Sequence, residues 1–353
     1  MRGGHLKEKV AVAMSGGVDS STAAAVLKQQ GFSLIGITMK LWDDSRGYAA
    51  QDVCDAKRVA GLLHIPHYTI DFSKAFSREV LEPSVEQYSR GKTPNPCVVC
   101  NQKLKFGLLS ERARELGARY LATGHYARVE YDDARSRFVL KKGLERKKEQ
   151  SYWLAMLSQK TLARTLLPLG AFSKNEIRRL AAQFGLKVAR KRESQDVCCL
   201  GNFQRFIGRC VESGSGPIVD MTGNVIGMHG GVHLYTVGQR RGLGISASRP
   251  LYVVRIDHET NTIVAGEESA LYCSAFVGVK PNWIGVKALA RENEVEVKIR
   301  YRGVSAKASV STNRDDVMVR FGEPQKAITP GQLAVFYQGD EVVGGAWIER
   351  VIE

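Results

Sequence analysis

The sequence predicts an α/β fold in the first half of the chain, a parallel sheet covered by helices, giving way to an all-β second half. Three observations carry this. Strand-like and helix-like segments alternate from Val10 to about Val188, the order that βαβ units require. Glycines crowd residues 214–244, where that alternation stops. After Pro281 the apolar residues fall on a two-residue period, as in Val295, Val297 and Ile299, and short strands at this spacing predict a small barrel or sandwich.

Residues 10–14 (VAVAM) have the apolar run of a buried strand, and 21–30 (STAAAVLKQQ) read as a helix stopped by Gly31, the residue favoured just past a last helical turn. Further strands are expected at 34–41, 67–71 and 120–124, and helices at 51–63, 74–88 and 103–116. Ser173-Lys174-Asn175-Glu176 has the spacing of a capping box ahead of Ile177-Arg178-Arg179-Leu180. Gly185 ends that helix, and 190–201 follow as a loop. Residues 251–256 and 262–265 flank His258-Glu259-Thr260-Asn261 as a hairpin. Later strands are expected at 308–311, 317–321, 333–337 and 346–351.

Between the first strand and the first helix lies Ser15-Gly16-Gly17-Val18-Asp19-Ser20, which has the chemistry of a pyrophosphate cradle. Glycines let successive N–H groups converge on an anion, the helix start adds partial positive charge, and the serines add hydroxyl donors. Asp19 alone would repel phosphate. Its presence calls for a divalent metal or a substrate proton between it and the ligand. Two rival motifs fail. Gly91-Lys92-Thr93 has Glu86 where a Walker A loop needs its first glycine, and Pro94 and Pro96 forbid the helix that should follow. Gly242-Leu243-Gly244-Ile245-Ser246-Ala247 matches a dinucleotide fingerprint by letter, but Pro250 stands where its helix should run.

With 353 residues and 44% hydrophobic content, the chain can bury a real core spread over two or three domains. Its apolar runs are far shorter than a membrane span, and MRGGHLKEKV lacks the apolar region of a signal peptide. A cytoplasmic protein without a membrane partner is expected. A formal charge of +15 points to a polyanionic partner, nucleic acid above all. The basic residues bunch at 141–148, 190–192, 240–241 and 300–302.

Seven cysteines in a reducing compartment read as metal ligands, nucleophiles or small buried side chains before disulfides. Thr93-Pro94-Asn95-Pro96-Cys97-Val98-Val99-Cys100-Asn101 holds a Cys-x-x-Cys pair that its prolines place on a loop before a helix. Ser194-Gln195-Asp196-Val197-Cys198-Cys199 supplies distant thiols. A helix start and nearby Lys103, Lys105 and Arg192 would favour thiolates, able to attack, bind metal or carry sulfur. Structural zinc is weakened by the lack of a second Cys-x-x-Cys. Cys54, Cys210 and Cys273 are expected to be small apolar fillers.

Taken together, SGGVDS, TPNPCVVCN followed by KLKFG, ATGHYA, KKEQSYWLA and YTVGQRRGLG resemble the bacterial tRNA-specific 2-thiouridylases (tRNA-uridine 2-sulfurtransferases), in order over nearly the whole chain. The resemblance implies a PP-loop ATP pyrophosphatase domain over 1–204, a small central tRNA-contacting domain over 205–280 and a small C-terminal β-barrel over 281–353. It implies ATP-dependent 2-thiolation of the wobble uridine of tRNA, with Mg2+ and an upstream persulfide donor protein. ATP would meet Ala13, Met14, Ser15, Gly16, Gly17, Val18, Asp19, Ser20, Met39 and Gly124. Asn95, Pro96 and Cys97 would touch the flipped-out base. His125, Lys148, Glu149, Gln150, Arg300, Tyr301 and Gln332 would contact tRNA.

Cys198 would carry the sulfur and Cys100 would be its partner thiol, through attack or a transient disulfide. Two departures from the commonest family pattern leave this open: Cys97 stands where many members have aspartate, and Cys199 where an aromatic often follows. Cys199 is thus a second candidate carrier. Cys97, Cys100 and Cys198 are also able to hold an iron–sulfur cluster with one open iron. An amide- or lysidine-forming PP-loop ligase would share the Ser15 loop without needing Cys100 and Cys198. A zinc and RNA-binding module would use the charge and the Cys-x-x-Cys but gives Asp19 no role.

Overall fold

The computed structural model describes residues 8–42, 48–191, 203–211, 214–289, 292–313 and 315–352. The chain divides into two compact units, Met1–Val80 with Cys97–Cys199 and Asp340–Val342, and Leu81–Pro96 with Leu200–Gly339 and Val343–Glu353.

The first unit is built on a five-stranded parallel sheet. Its strands are β1 (Lys9–Ala13), β2 (Ser33–Lys40), β3 (His67–Asp71) and β4 (Tyr120–Ala122); after an antiparallel hairpin of β5 (Ala127–Asp132) and β6 (Arg137–Lys142) comes β7 (Thr165–Leu166). The order is β3-β2-β1-β4-β7, and every pairing is parallel. The chain leaves β1 on one side for β2 and returns on the other with β4. The carboxyl ends of β1 and β4 therefore flank a switch point, where open α/β sheets bind ligands.

Two helices seal this sheet, α1 (Val18–Gln29) and α2 (Tyr48–Leu62). Val10, Val12, Ala24, Leu27, Ala56, Val59 and Ala60 are all buried in one cluster. The small residues of α1 let its backbone lie close to the strands: Ala23 and Ala24 have no exposed surface. The expected helix at 74–88 is helical throughout, but Ser77–Leu81 is π-helical between Ser73–Phe76 and Glu82–Ser89. Pro83, lacking an N–H, explains the irregular turn ahead of it.

In the second unit, β8 (Gly216–Val219), β9 (Val225–His229), β10 (Tyr252–Asp257) and β11 (Thr262–Gly266) form a sheet in the order β10-β11-β8-β9. The expected hairpin is β10–β11, with Asp257 opposite Thr262. Ile218, Val253, Ile263 and Ala265 form its core.

The choice between barrel and sandwich is settled for the barrel. Its strands are β12 (Tyr272–Trp283), β13 (Asn293–Lys298), β14 (Ala306–Asn313), β15 (Asp316–Lys326), β16 (Leu333–Gln338) and β17 (Glu341–Ile352). They run β12-β15-β14-β13-β16-β17, and β17 pairs back onto β12 to close the ring. The two-residue period puts Val297, Val310, Val317, Val319, Phe336 and Ile348 inside. Among the described residues, no helix is long and apolar enough to cross a membrane.

Candidate active site

The Ser15–Ser20 segment lies at the carboxyl end of β1, beside the switch point. Gly17 is the N-cap of α1 and makes no side-chain capping bond. The helix thus starts at Val18, three residues before the sequence-based boundary, and the N–H donors of its first turn have no partners within the helix. A loop anchored by its own serines presents them. Ser15 N–H donates to Ser20 Oγ at 3.1 Å, the two hydroxyls lie 3.2 Å apart, and Ser20 Oγ donates to the Gly17 carbonyl at 3.3 Å.

Glycine is required twice at this site. Gly16 has φ +69°, and a Cβ there would sit 2.2 Å from the Asp52 carbonyl of α2. Gly124, just past β4, passes so close to α1 that a Cβ would lie 2.8 Å from backbone atoms of Asp19 and Ser20. Met14, the last residue before the loop, is held from β2: its N–H donates to Ile37 O at 2.8 Å, and Thr38 Oγ1 donates to its carbonyl at 2.7 Å. Met39 is the next residue of β2 and is half-buried.

Asp19 is also held by donors within the protein. Lys174 Nζ and Tyr126 OH each donate to Asp19 Oδ1 at 2.7 Å. Lys174 opens the helix Lys174–Gln183, whose Ser173–Glu176 capping box forms as the sequence predicts. Its ammonium also faces the Tyr126 ring at 5.7 Å. Lys191 serves the opposite side of the loop, bonding Asp52 and Asp55 of α2 at 2.7 Å and the Gly16 carbonyl at 3.4 Å. Partial burial works against its charge, but those carboxylates hold its pKa above the ordinary value. Sequence reasoning missed Lys174, Tyr126 and Lys191 as site residues. The capping serine beside Lys174, the ATGHYA motif around Tyr126 and the basic run around Lys191 mark their neighbourhood without assigning them to the loop.

The thiols are placed differently from the expectation. Cys97 and Cys100 are not on a loop ahead of a helix: Pro96–Val99 is already helical and runs into a π-helical stretch, Cys100–Leu108. Pro96 fits the first helical position, where no N–H is needed. Cys100 is buried and Cys97 half-buried. Cys198 and Cys199 lie outside the described residues. Cys54 and Cys210 are exposed and Cys273 is half-buried, which corrects the reading of these three as buried fillers.

In the second unit, Asn95 and Gln332, far apart in sequence, meet. Asn95 Nδ2 donates to Gln332 Oε1 at 2.9 Å, Leu333 N–H donates to Asn95 Oδ1 at 2.6 Å, and Gln332 Nε2 donates to the Thr93 carbonyl at 2.7 Å. Arg300 is exposed on the barrel, with one guanidinium nitrogen on the Lys326 carbonyl, and Lys298 lies over the Tyr301 ring.

The remaining candidates for tRNA contact belong to the first unit, where His125, Glu149 and Gln150 bond neighbouring groups of that unit. His125 is buried, 2.6 Å from Thr123 Oγ1, and desolvation with nearby Lys105 holds its pKa well below the ordinary value. The Glu149 carboxylate accepts from Ser151 N–H, and Gln150 Oε1 accepts from Tyr126 N–H at 3.0 Å. Lys148 is half-buried. The basic run at 141–148 is partly spent internally, Lys141 on Glu130 and Arg146 on Asp340.

Three family models match in succession: a tRNA methyl transferase HUP domain over residues 8–202, a tRNA methyl transferase PRC-barrel domain over 204–267 and an aminomethyltransferase beta-barrel domain over 274–348. The tRNA-specific 2-thiouridylase MnmA 1 of Caldanaerobacter subterraneus is 46% identical, covering 99% of this chain and 100% of its own length. The chain belongs to the tRNA-specific 2-thiouridylase family. A second 2-thiouridylase, that of Acidobacterium capsulatum, is 44% identical over 96% of this chain and 98% of its own. A solved U34-tRNA thiolase, NcsA from Methanococcus maripaludis with its [4Fe-4S] cluster, is 21% identical, covers 58% of this chain and 65% of its own, and has a TM-score of 0.36.

Proposed function

We propose that this protein is a tRNA-uridine 2-sulfurtransferase that replaces the C2 oxygen of the wobble uridine with sulfur at the expense of ATP. The reading is carried by the 2-thiouridylase relatives, matched over nearly the whole chain, and it is supported by a start of α1 at a glycine N-cap whose backbone donors suit a pyrophosphate. A carbonyl oxygen is a poor leaving group. Transfer of AMP to it, with pyrophosphate released toward the Ser15–Ser20 loop, makes a good one. A methyl transfer, the reaction named in the family description, would need no such cradle.

ATP would lie against Ala13, Met14, Ser15, Gly16, Gly17, Val18, Asp19, Ser20, Met39 and Gly124. Mg2+ would be held by Asp19 with the phosphates, and the carboxylate chemistry there fits a hard cation. It would spread the phosphate charge. On the sulfur side, a Cys198 persulfide attacks C2 and AMP leaves. The Cys100 thiolate then attacks Cys198 Sγ, the S–S bond breaks toward the uridine sulfur, and the resulting disulfide needs a thiol reductant before the next turnover. Cys97 and Cys100, three residues apart in one helical turn, share a face and fit two ligands of an iron–sulfur cluster. Cys198 would have to be the third, and the cluster would supply an iron to hold sulfide.

Asn95, Pro96 and Cys97 would form the wall that receives the flipped base. Asn95 acts chiefly by holding the loop, because its amide is engaged by Gln332 and Leu333. His125, Lys148, Glu149, Gln150, Arg300, Tyr301 and Gln332 would position tRNA, the buried ones by shaping the surface beneath it. We place the domain boundaries near residues 204 and 280, the protein in the cytoplasm, and an upstream persulfide protein as its donor.

The test is incubation with ATP, a persulfide donor and unmodified tRNA, followed by nucleoside digestion. 2-Thiouridine is expected; its absence would favour an amide- or lysidine-forming ligase. Anaerobic purification separates the sulfur routes: iron that is lost together with activity would overturn the persulfide relay.

A further inference from the structure

The phosphate loop depends on which way its peptide planes face, and one side chain outside the motif holds one of them. Gly16 has φ +69°, and α2 lies directly behind it, too close for any Cβ. The carbonyl of Gly16 accepts a bond from Lys191 Nζ at 3.4 Å, while the same ammonium bonds Asp52 Oδ1 and Asp55 Oδ2 of α2 at 2.7 Å each. An ammonium has three N–H donors. These three acceptors use all of them, so Lys191 is fully engaged on the α2 side.

Across a planar trans peptide the carbonyl and the following N–H point in opposite directions, and the described chain has no cis bond. Pulling the Gly16 carbonyl toward Lys191 therefore turns the Gly17 N–H the other way. Gly17 is the N-cap of α1 and makes no side-chain capping bond of its own. We propose that Lys191 is a positioning residue for ATP: anchored by Asp52 and Asp55, it holds the Gly16–Gly17 peptide with its N–H facing the phosphate side. This rests on the loop being the ATP site, as argued above. It assigns a role to three residues outside the Ser15–Ser20 motif, and it separates Lys191 from a lysine that touches phosphate directly.

The two roles predict opposite results for one variant. As a strut, Lys191 needs its carboxylates, so Asp52→Asn with Asp55→Asn weakens ATP binding although two negative charges near a polyanion are removed. As a phosphate ligand, a lysine freed from those carboxylates would bind ATP more tightly.

The experiment titrates the full-length protein and its variants with a non-hydrolysable ATP analogue, and measures thiolation kinetics alongside. Lys191→Met is expected to weaken analogue binding about tenfold, about 1.4 kcal/mol, and to raise the KM for ATP with kcat kept within about twofold. Lys191→Arg, which keeps charge and donors, should recover most of this, and the double carboxylate variant should weaken binding by about threefold or more. Unchanged affinity in Lys191→Met, or tighter binding in the double variant, overturns the proposal. If Lys191→Met does not fold, the double variant decides. Wild-type protein that binds the analogue but makes no 2-thiouridine would sink the function reading and leave this proposal to the binding data.

Discussion

The Ser15–Ser20 loop and the Cys97–Cys100 turn both open a helix, yet they are assembled in opposite ways. At the loop, the donors proposed to bind phosphate are backbone groups whose places follow from a strand, two glycines and a helix adjacent in sequence; side chains from far away only fix its charge and peptide orientation. At the turn, the proposed chemistry would sit in side chains of unequal access, a half-buried Cys97 and a buried Cys100, and the helix beneath them is irregular. A cradle made of backbone can be complete within one local segment. A thiol site depends on reach, burial and a second thiol from elsewhere in the chain.

Substitutions at the two sites should therefore fail in different steps. The largest effect is expected for Cys100→Ser, which should lower 2-thiouridine formation by at least about a thousandfold while leaving ATP affinity unchanged. Parallel turnover and ATP-analogue binding assays check this. Loss of ATP binding in that variant would mean that the two regions are not separable. Gly16→Ala attacks the other side. It forces a side chain into positive φ and against the Asp52 carbonyl at 2.2 Å, a strain of about 1–3 kcal/mol. ATP affinity should fall by roughly ten- to a hundredfold. Retained affinity would show that the loop tolerates a shift of α2, and would weaken the claim that backbone geometry is the cradle.

The same contrast explains what the sequence could tell. The parallel sheet, the glycine turn between β1 and α1, the capping box at Ser173 and the β10–β11 hairpin are legible because each is encoded by neighbours: apolar runs, glycine placement, cap spacing. The sequence pattern puts the start of α1 three residues late, since the loop residues Val18, Asp19 and Ser20 double as its first turn. Lys174 was visible only as a residue inside a helix, because its Asp19 partner is 155 positions away. In the sequence Lys191 is part of a basic run suited to nucleic acid. Its position against Asp52, Asp55 and Gly16 is a consequence of tertiary packing, which periodicity does not record. The Cys97 turn is hidden in the sequence because two prolines read as loop residues, whereas Pro96 opens the helix.

His125 offers the smallest and sharpest test, because it joins the two regions within the first unit. It follows Gly124, which touches the first turn of α1, and its ring packs on Phe106 of the thiol-bearing helix at 5.9 Å. Burial, helped by the Lys105 charge, holds its pKa well below the ordinary 6.5, so the folded protein keeps the ring neutral. The unfolded chain takes up a proton below about pH 6.5 and the folded chain does not. Unfolding then binds protons, and stability falls as the pH falls. The stability is fully present above pH 6.5 and is lost from there down toward the folded pKa, at up to about 1.4 kcal/mol per pH unit. His67, whose pKa is lowered chiefly by burial, adds a slope of the same sign. Urea unfolding of wild type and His125→Gln at pH 7.5, 6.5 and 5.5 isolates the His125 share. Between pH 6.5 and 5.5 the wild type should lose about 1 kcal/mol more than the variant. Equal losses would mean that His125 can be protonated in place, and that the seam between Gly124 and Phe106 opens more readily than its packing indicates.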